Sequence, residues 1–135
     1  MKQKGDVAEL KVAADIRRRG HLIAVPWGED WLADLIVCRG GELERVQVKH
    51  GRSDGQTLVV RARTLTVTAG RVRRVRKYTA ADIDWLAVWD STTDTCAYIP
   101  AAELGDGRSE LTLRIAPTRN GQVMGIRVFA DYLEF

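Results

Sequence analysis

Residues 33–50, ADLIVCRGGELERVQVKH, set two apolar runs on either side of a Gly-Gly pair. Each run carries the period of a strand, and "GGE" supplies a tight turn, so the segment predicts a β-hairpin. On the second strand Gln47 and Lys49 stand two residues apart and therefore share a face, an amide beside an ammonium in a valine-flanked strand. Asp34 is equally out of place, because Asp disfavours strands and the run Leu35–Cys38 that follows it is wholly apolar. It reads either as a residue capping the turn into the strand or as part of a site with Gln47 and Lys49. Pairing Cys38 with Glu44 or Arg45 across the turn would set Asp34 opposite residue 48 or 49.

Outward from the hairpin, a helix is expected from about Val7 to Arg19, closed by Gly20 and by the cations Arg17, Arg18 and Arg19 at its negative end. At 100° per residue, Glu9 falls between Ile16 and Ala13, inside the apolar stripe. One reading makes Glu9 the partner of Asp6 in a capping box. The other makes it a buried carboxylate that needs a cation or a proton. The strand HLIAVP follows the helix, and the loop WGEDWL leads to the hairpin. Beyond the hairpin, TLVVRARTLTVT predicts one or two strands, and AGRVRRVRKYTAA fits a helix or a ribbon edge. DIDWLAVWD is nearly continuous in apolar residues and predicts a central strand. TCAYIP pairs with it as a hairpin, AAELGDGRS reads as a loop or helical turn, and ELTLRIAP as a strand. VMGIRVFADYLE reads as a strand ending in a short helix, whose exposed aromatic residues would suit an interface. The fold class is α/β, a mixed central sheet with the N-terminal helix packed on it, in a single domain spanning 1–135.

Composition fits one globular core: 135 residues, 15.1 kDa, 45% hydrophobic. A net charge of +3 and a pI near 9.1 permit a nucleic-acid partner without requiring one. Cys38 and Cys96 are too far apart in sequence for a zinc knuckle and read as strand thiols of a reducing compartment. His21 and His50 lack zinc spacing and read as structural. No segment approaches the roughly 18 apolar residues of a membrane span, and MKQKGDVAEL has no apolar secretion core, so a cytoplasmic location is expected.

Glu9, Asp34, Gln47 and Lys49 together are a set suited to hard-cation chemistry on a phosphodiester. Mg²⁺ takes oxygen ligands, and a lysine beside it can assist the attacking water and offset developing charge. In this order the residues resemble the PD-(D/E)XK nuclease superfamily, whose core runs from a helix with Glu to a strand with Asp and then a strand with (D/E)xK. Ala33 stands where the motif has Pro, and Gln47 where an acid is usual. The QxK form resembles the branch of homing endonucleases associated with group I introns. KYTAADIDWLAVWD, CAYIP and LRIAPTRNGQ look like its downstream segments.

That resemblance implies a restriction-endonuclease-like core and Mg²⁺-dependent cleavage of double-stranded DNA at a specific site, with Mn²⁺ able to substitute. Asp34 would be the central metal ligand. The Gln47 side-chain carbonyl and the Val48 backbone carbonyl would join it, and Glu9 would bind a second metal or orient its water. Lys49 would assist the nucleophile. Two alternatives stay open: a nuclease specific for branched (Holliday-type) junctions, and a DNA-binding module of the same fold with a dead site.

Arg71, Arg73, Arg74, Arg76 and Lys77 fall within seven residues. With Arg52, Arg61 and Arg63 they are candidates for phosphate contact, or else a solvated charged face. Arg119, Asn120 and Gln122 are types that read base edges, although Asn120-Gly121 is foremost a hairpin-turn signal. The four tryptophans, 27, 31, 85 and 89, are expected in the core. Cutting both strands needs two active centres, so a homodimer or homotetramer on a pseudo-palindromic site is expected.

Overall fold

The computed structural model describes residues 2–118, 120, 121 and 124–135. The hairpin comprises β2 (Leu35–Arg39) and β3 (Glu42–Gly51). Gly40 and Gly41 both adopt positive φ, 58° and 82°, the primed turn whose twist matches paired strands. That turn is one residue tighter than the sequence suggested. Cys38 pairs with Leu43 and Leu35 with Val46, so Asp34 arrives opposite Gln47, not residue 48 or 49.

Three more strands complete the main sheet: β1 (Leu22–Ala24), β7 (Trp85–Asp90) and β8 (Thr95–Pro100), in the order β1-β2-β3-β7-β8. The β3–β7 pairing is parallel and the others antiparallel, which makes the sheet mixed. Both faces are covered at β7, and this explains its continuous apolar run. Ala87 faces α1 (Lys2–Arg18), with Leu35, Val37, Val46, Val48 and Tyr98 packed against Ala8, Val12 and Ile16. Leu86 and Val88 face a second layer containing Leu58, Val60, Leu111, Leu113 and Phe129. This layer is the sheet β10-β9-β4, formed by β4 (Thr57–Arg61), β9 (Glu110–Arg114) and β10 (Arg127–Val128). A Cβ on Gly51 would lie 2.7 Å from Leu58 Cδ1 and 2.9 Å from Val88 Cγ2, so the layers meet there at a distance only glycine allows.

The helix begins at Lys2, more than a turn before the expected Val7. Asp6 therefore sits inside the helix, where the first-turn N–H groups that a cap would serve are already past, and the capping box with Glu9 does not form. The far end follows expectation. Gly20 (φ 90°) donates to the Arg17 carbonyl and His21 to that of Ile16, at 2.9 and 3.3 Å, as in a Schellman closure. Asp15 fastens the helix to the sheet by accepting from Tyr98 Oη at 2.5 Å and Arg19 Nε at 3.0 Å.

The ambiguous basic segment is a strand. After β4 the chain turns at buried Ala62, leaves the second sheet, and continues as β5 (Arg63–Thr68), paired only with β6 (Arg71–Lys77) in a two-stranded ribbon. At the C-terminus the expected exposed aromatic residues are instead folded back. Phe129 is buried, Tyr132 Oη donates to Glu103 at 2.6 Å, and the Phe135 ring lies 4.7 Å from that of Tyr98. The His21 ring lies against Phe135 and the His50 ring against Trp89.

Candidate active site

Asp34 is fixed twice by the backbone of β3. Its N–H donates to the Val46 carbonyl at 2.8 Å, and its Oδ2 accepts from the Val48 N–H at 2.9 Å. Val46 and Val48 turn toward the helix, so strand alternation sends Gln47 and Lys49 to the opposite face. The helix thus packs on the face away from Gln47 and Lys49. Glu9 reaches the site at the start of β2, where its carboxyl and that of Asp34 lie close enough to perturb one another. Lys49 Nζ lies 5.2 Å from the centre of the Tyr78 ring and donates to the Arg63 carbonyl at 3.1 Å. The four residues singled out in the sequence thus converge from a helix, a strand start and one strand.

Their electrostatics are unbalanced. Burial, together with the charges of Asp34 and Asp6, pushes the Glu9 carboxyl up to about 7. Burial also raises Asp34, against the pull of the Val48 N–H and Lys49. Lys49 is lowered by burial and by neighbouring Arg61 and Arg63, with Asp34 opposing. Two neighbouring carboxyls that both resist ionisation are an arrangement a cation would relieve.

The folded pKa of Glu9 exceeds its unfolded value, so the folded form binds the proton more tightly. Stability contributed by that proton is present below about pH 4.5 and lost as pH rises through about 7. Glu9→Gln, which removes the repulsion, is therefore expected to melt higher than the parent at pH 8 in chelator. The gap should close at pH 5. Calorimetric melting at both pH values checks this, and equal melting temperatures at pH 8 would contradict it.

The donor set fits a hard cation. Gln47 is 8% exposed, and its Nε2 donates to the Leu32 carbonyl, which fixes the amide orientation. Among the described residues Oε1 accepts no hydrogen bond and no side-chain polar atom is both buried and unpartnered, so Oε1 is not sealed off from solvent. In an extended strand the N–H and C=O of one residue point to the same side. Val48 spends its N–H on Asp34, past the end of the β2 pairing, and its carbonyl addresses the same space. Among the described residues no three or more of His, Cys, Asp and Glu are grouped to hold a metal. A hard cation such as Mg²⁺ is held by few protein carboxylates and keeps several waters, which Asp34 and Glu9 with neighbouring neutral oxygens could satisfy.

Beside this set lies a cavity of about 370 Å³, lined by Glu9, Asp34, Ala33, Pro26, Glu29 and Trp31 among others. The tryptophan expectation fails on its rim. Trp27 is 95% and Trp31 55% exposed, Trp31 Nε1 donating to the Trp27 carbonyl at 2.8 Å. The loop there buries neither ring. Trp85 and Trp89 do pack against the helix-side core.

The basic candidates lie at different distances from the site. Arg61 and Arg63 lie close enough to Lys49 to influence its charge. Arg52 is exposed just past β3, and Arg71, Arg73, Arg74, Arg76 and Lys77 are exposed along β6. Arg76 is engaged by Asp82 at 2.7 Å. Asn120 lies in a turn closed by Gly121 N–H to the Thr118 carbonyl at 3.2 Å, which favours its structural reading. Arg119 and Gln122 lie outside the described residues.

Sequence reasoning missed two supports. Tyr78 is buried under Lys49. Asp90, fully buried, accepts from Ser53 N and Oγ at 2.9 and 2.8 Å and from Thr93 Oγ1 at 2.7 Å, tying down the exit of β3. An Asp closing an apolar strand and followed by Ser-Thr-Thr was the available signal.

Residues 1–135 match a family described as PD-(D/E)XK endonuclease. Among solved structures the chain is similar to a bacterial homing endonuclease, I-Ssp6803I. The TM-score is 0.75 at 21% identity, covering 98% of this chain and 87% of that one. At that identity the likeness establishes the restriction-endonuclease-like fold. No curated protein matches the chain.

Proposed function

This chain belongs to the PD-(D/E)XK endonuclease family, and on that premise we propose that it is a Mg²⁺-dependent endonuclease hydrolysing both strands of duplex DNA at a specific sequence. The observation that carries the proposal is the proximity of Glu9 to Asp34 and of Asp34 to Lys49, with Gln47 directly across β3 from Asp34. That the structurally similar I-Ssp6803I is a homing endonuclease supports the sequence-specific, homing form of the activity; a group I intron setting belongs to the same proposal.

Asp34, Gln47 Oε1 and the Val48 carbonyl would hold Mg²⁺, or Mn²⁺ in its place, with Glu9 beside them. When bound, the ion supplies positive charge at the phosphate and makes a water more acidic. The protein's own groups then set the geometry. Asp34 is immobilised by two backbone bonds, so its carboxylate cannot swing away. Glu9, with a pKa near 7, can accept a proton from a water at neutral pH. Lys49 is partly desolvated, and its ammonium orients the attacking water and offsets charge on the phosphoryl oxygens.

We further propose that the enzyme works as a homodimer or homotetramer. Each chain contains one such centre, and an apolar row, Leu22-Cys38-Leu43, crosses the part of the sheet that the second layer leaves open. The unpaired thiols Cys38 and Cys96 are consistent with a reducing, cytoplasmic setting. Among the described residues no helix is long and apolar enough to cross a membrane.

Incubating the protein with a library of linear duplexes and with four-way junctions, in millimolar Mg²⁺ or in chelator, tests the proposal. Recurrent double-strand breaks at one sequence are expected in Mg²⁺ only. Preferred cutting of junctions would replace this reading with a structure-specific nuclease. Tight DNA binding without cutting in any divalent metal would replace it with an inactive module.

A further inference from the structure

The β5–β6 ribbon has two chemically different faces. Partners across an antiparallel pair share a face, and the register sorts them. Thr64 pairs with Arg76, Thr66 with Arg74 and Thr68 with Arg71, whereas Leu65 pairs with Val75 and Val67 with Val72. One face is therefore threonine and arginine, and the other is largely aliphatic. Arg73 is the extra residue where the register shifts, a bulge that adds twist to the ribbon. The turn at Ala69 (φ 54°) and Gly70 (φ 74°) closes it tightly.

All of β6 and most of β5 are exposed, and the two strands pair with each other alone. An isolated two-stranded hairpin is marginal in water, so a ribbon of this kind gains order from a partner. Its base is anchored beside the reactive groups: Tyr78 N donates to the Ala62 carbonyl at 3.0 Å, and Lys49 donates to the Arg63 carbonyl at 3.1 Å. Whatever phosphate lies at Lys49, the ribbon departs from that point.

We propose that the ribbon enters the DNA major groove with Thr64, Thr66, Thr68, Arg71 and Arg74 turned to the base edges, and that it is the element selecting the target sequence. This rests on the DNA-endonuclease reading and goes beyond it by assigning base recognition to one face of one element. The major groove, about 12 Å wide, admits a two-stranded ribbon. Arginine reads guanine, and threonine offers both a hydroxyl and a methyl to base edges. Arg71 and Arg74 have no ion-pair partner within the described chain, whereas Arg76 is held by Asp82. The charge favours a polyanion over a protein surface. Six residues of β5 at about 3.3 Å each reach roughly 20 Å from the base. At 3.4 Å per step along DNA this spans about six base pairs. Selectivity is thus predicted for a contiguous block of about that length to one side of each cut.

The test uses the full chain and a pool of randomised duplexes, selected for binding in chelator and sequenced, with cleavage of the recovered duplexes assayed separately in Mg²⁺. Wild type should enrich a consensus. Thr66→Ala and Arg74→Ala should each flatten positions inside one block, losing roughly 5- to 150-fold discrimination per base pair, with the consensus outside it retained. Leu65→Ser and Val75→Ser, on the opposite face, should leave the consensus as it is. If Thr66→Ala and Arg74→Ala weaken binding uniformly and preserve every position, the ribbon is a phosphate clamp and the inference is overturned. Movement of the consensus by the Leu65 and Val75 changes would overturn it as well, by assigning recognition to the other face. If the recovered consensus is bound but never cut in Mg²⁺, the endonuclease reading fails instead, and the ribbon assignment is still judged on the block pattern.

Discussion

Lys49→Met is expected to lower single-turnover DNA cleavage by about a thousandfold or more. Methionine preserves the stem that packs on Tyr78 and removes only the ammonium. Folding should not suffer, because burial already disfavours the charged form of Lys49, and replacing a desolvated charge by an apolar group of similar length is often neutral or stabilising. Asp34 loses its nearest cation in this variant, so metal-free protein should hold the carboxyls of Glu9 and Asp34 protonated to higher pH. Retained DNA binding together with lost cleavage separates a chemical role from a binding one. Residual cleavage within tenfold of wild type would remove Lys49 from the mechanism.

The second large effect concerns stability. Asp90→Ala should cost about 3–5 kcal/mol, since it leaves the buried Ser53 N–H and hydroxyl and the Thr93 hydroxyl without their acceptor. For a chain of this size that corresponds to a fall in Tm of roughly 10–20 °C. The hydrogen bonds that these groups give Asp90 hold its pKa below the usual carboxylate range, against the opposing effect of burial. Its contribution is therefore present above the unfolded value near 3.8 and lost as pH falls through the folded one. Wild type and Asp90→Ala should converge in stability as pH drops below 4, which urea titrations at pH 7 and pH 3 measure. Cleavage should fall too, because Ser53 and the Gly51 carbonyl, which accepts from Ser91 N–H at 2.9 Å, anchor the strand that carries Lys49. A loss under 1 kcal/mol at pH 7 would show that the Asp90 network is dispensable.

The β2–β3 hairpin was legible because its period-two pattern and Gly40-Gly41 are local signals, and strand alternation alone put Gln47 beside Lys49. The exact register was not, since a turn one residue shorter shifts every partner, and Asp34 came to face Gln47. Glu9 stood out as a carboxylate at odds with its stripe, and burial is indeed the first cause of its perturbation, but the next is Asp34, 25 positions along the chain. Contacts of that span leave no periodic trace. The same holds for Tyr78 beneath Lys49 and for the Ser53–Asp90 bonds. Sequence pattern could not decide whether 71–77 was helix or strand, because a ribbon exposed on both faces lacks a burial period; pairing with β5 decided it. Trp27 and Trp31 reversed expectation because composition says a tryptophan favours burial, while only the loop path tells whether a core is within reach.

The proposed chemistry depends on Asp34, Gln47 and Val48, with Glu9, holding one divalent cation beside Lys49. Anomalous scattering from crystals of the protein grown with Mn²⁺ at pH 8 measures this directly. A single peak within about 2.0–2.6 Å of an Asp34 carboxylate oxygen and of Gln47 Oε1 is the predicted result. A Mn²⁺ peak elsewhere, or none in the opening between Glu9 and Lys49, would contradict it.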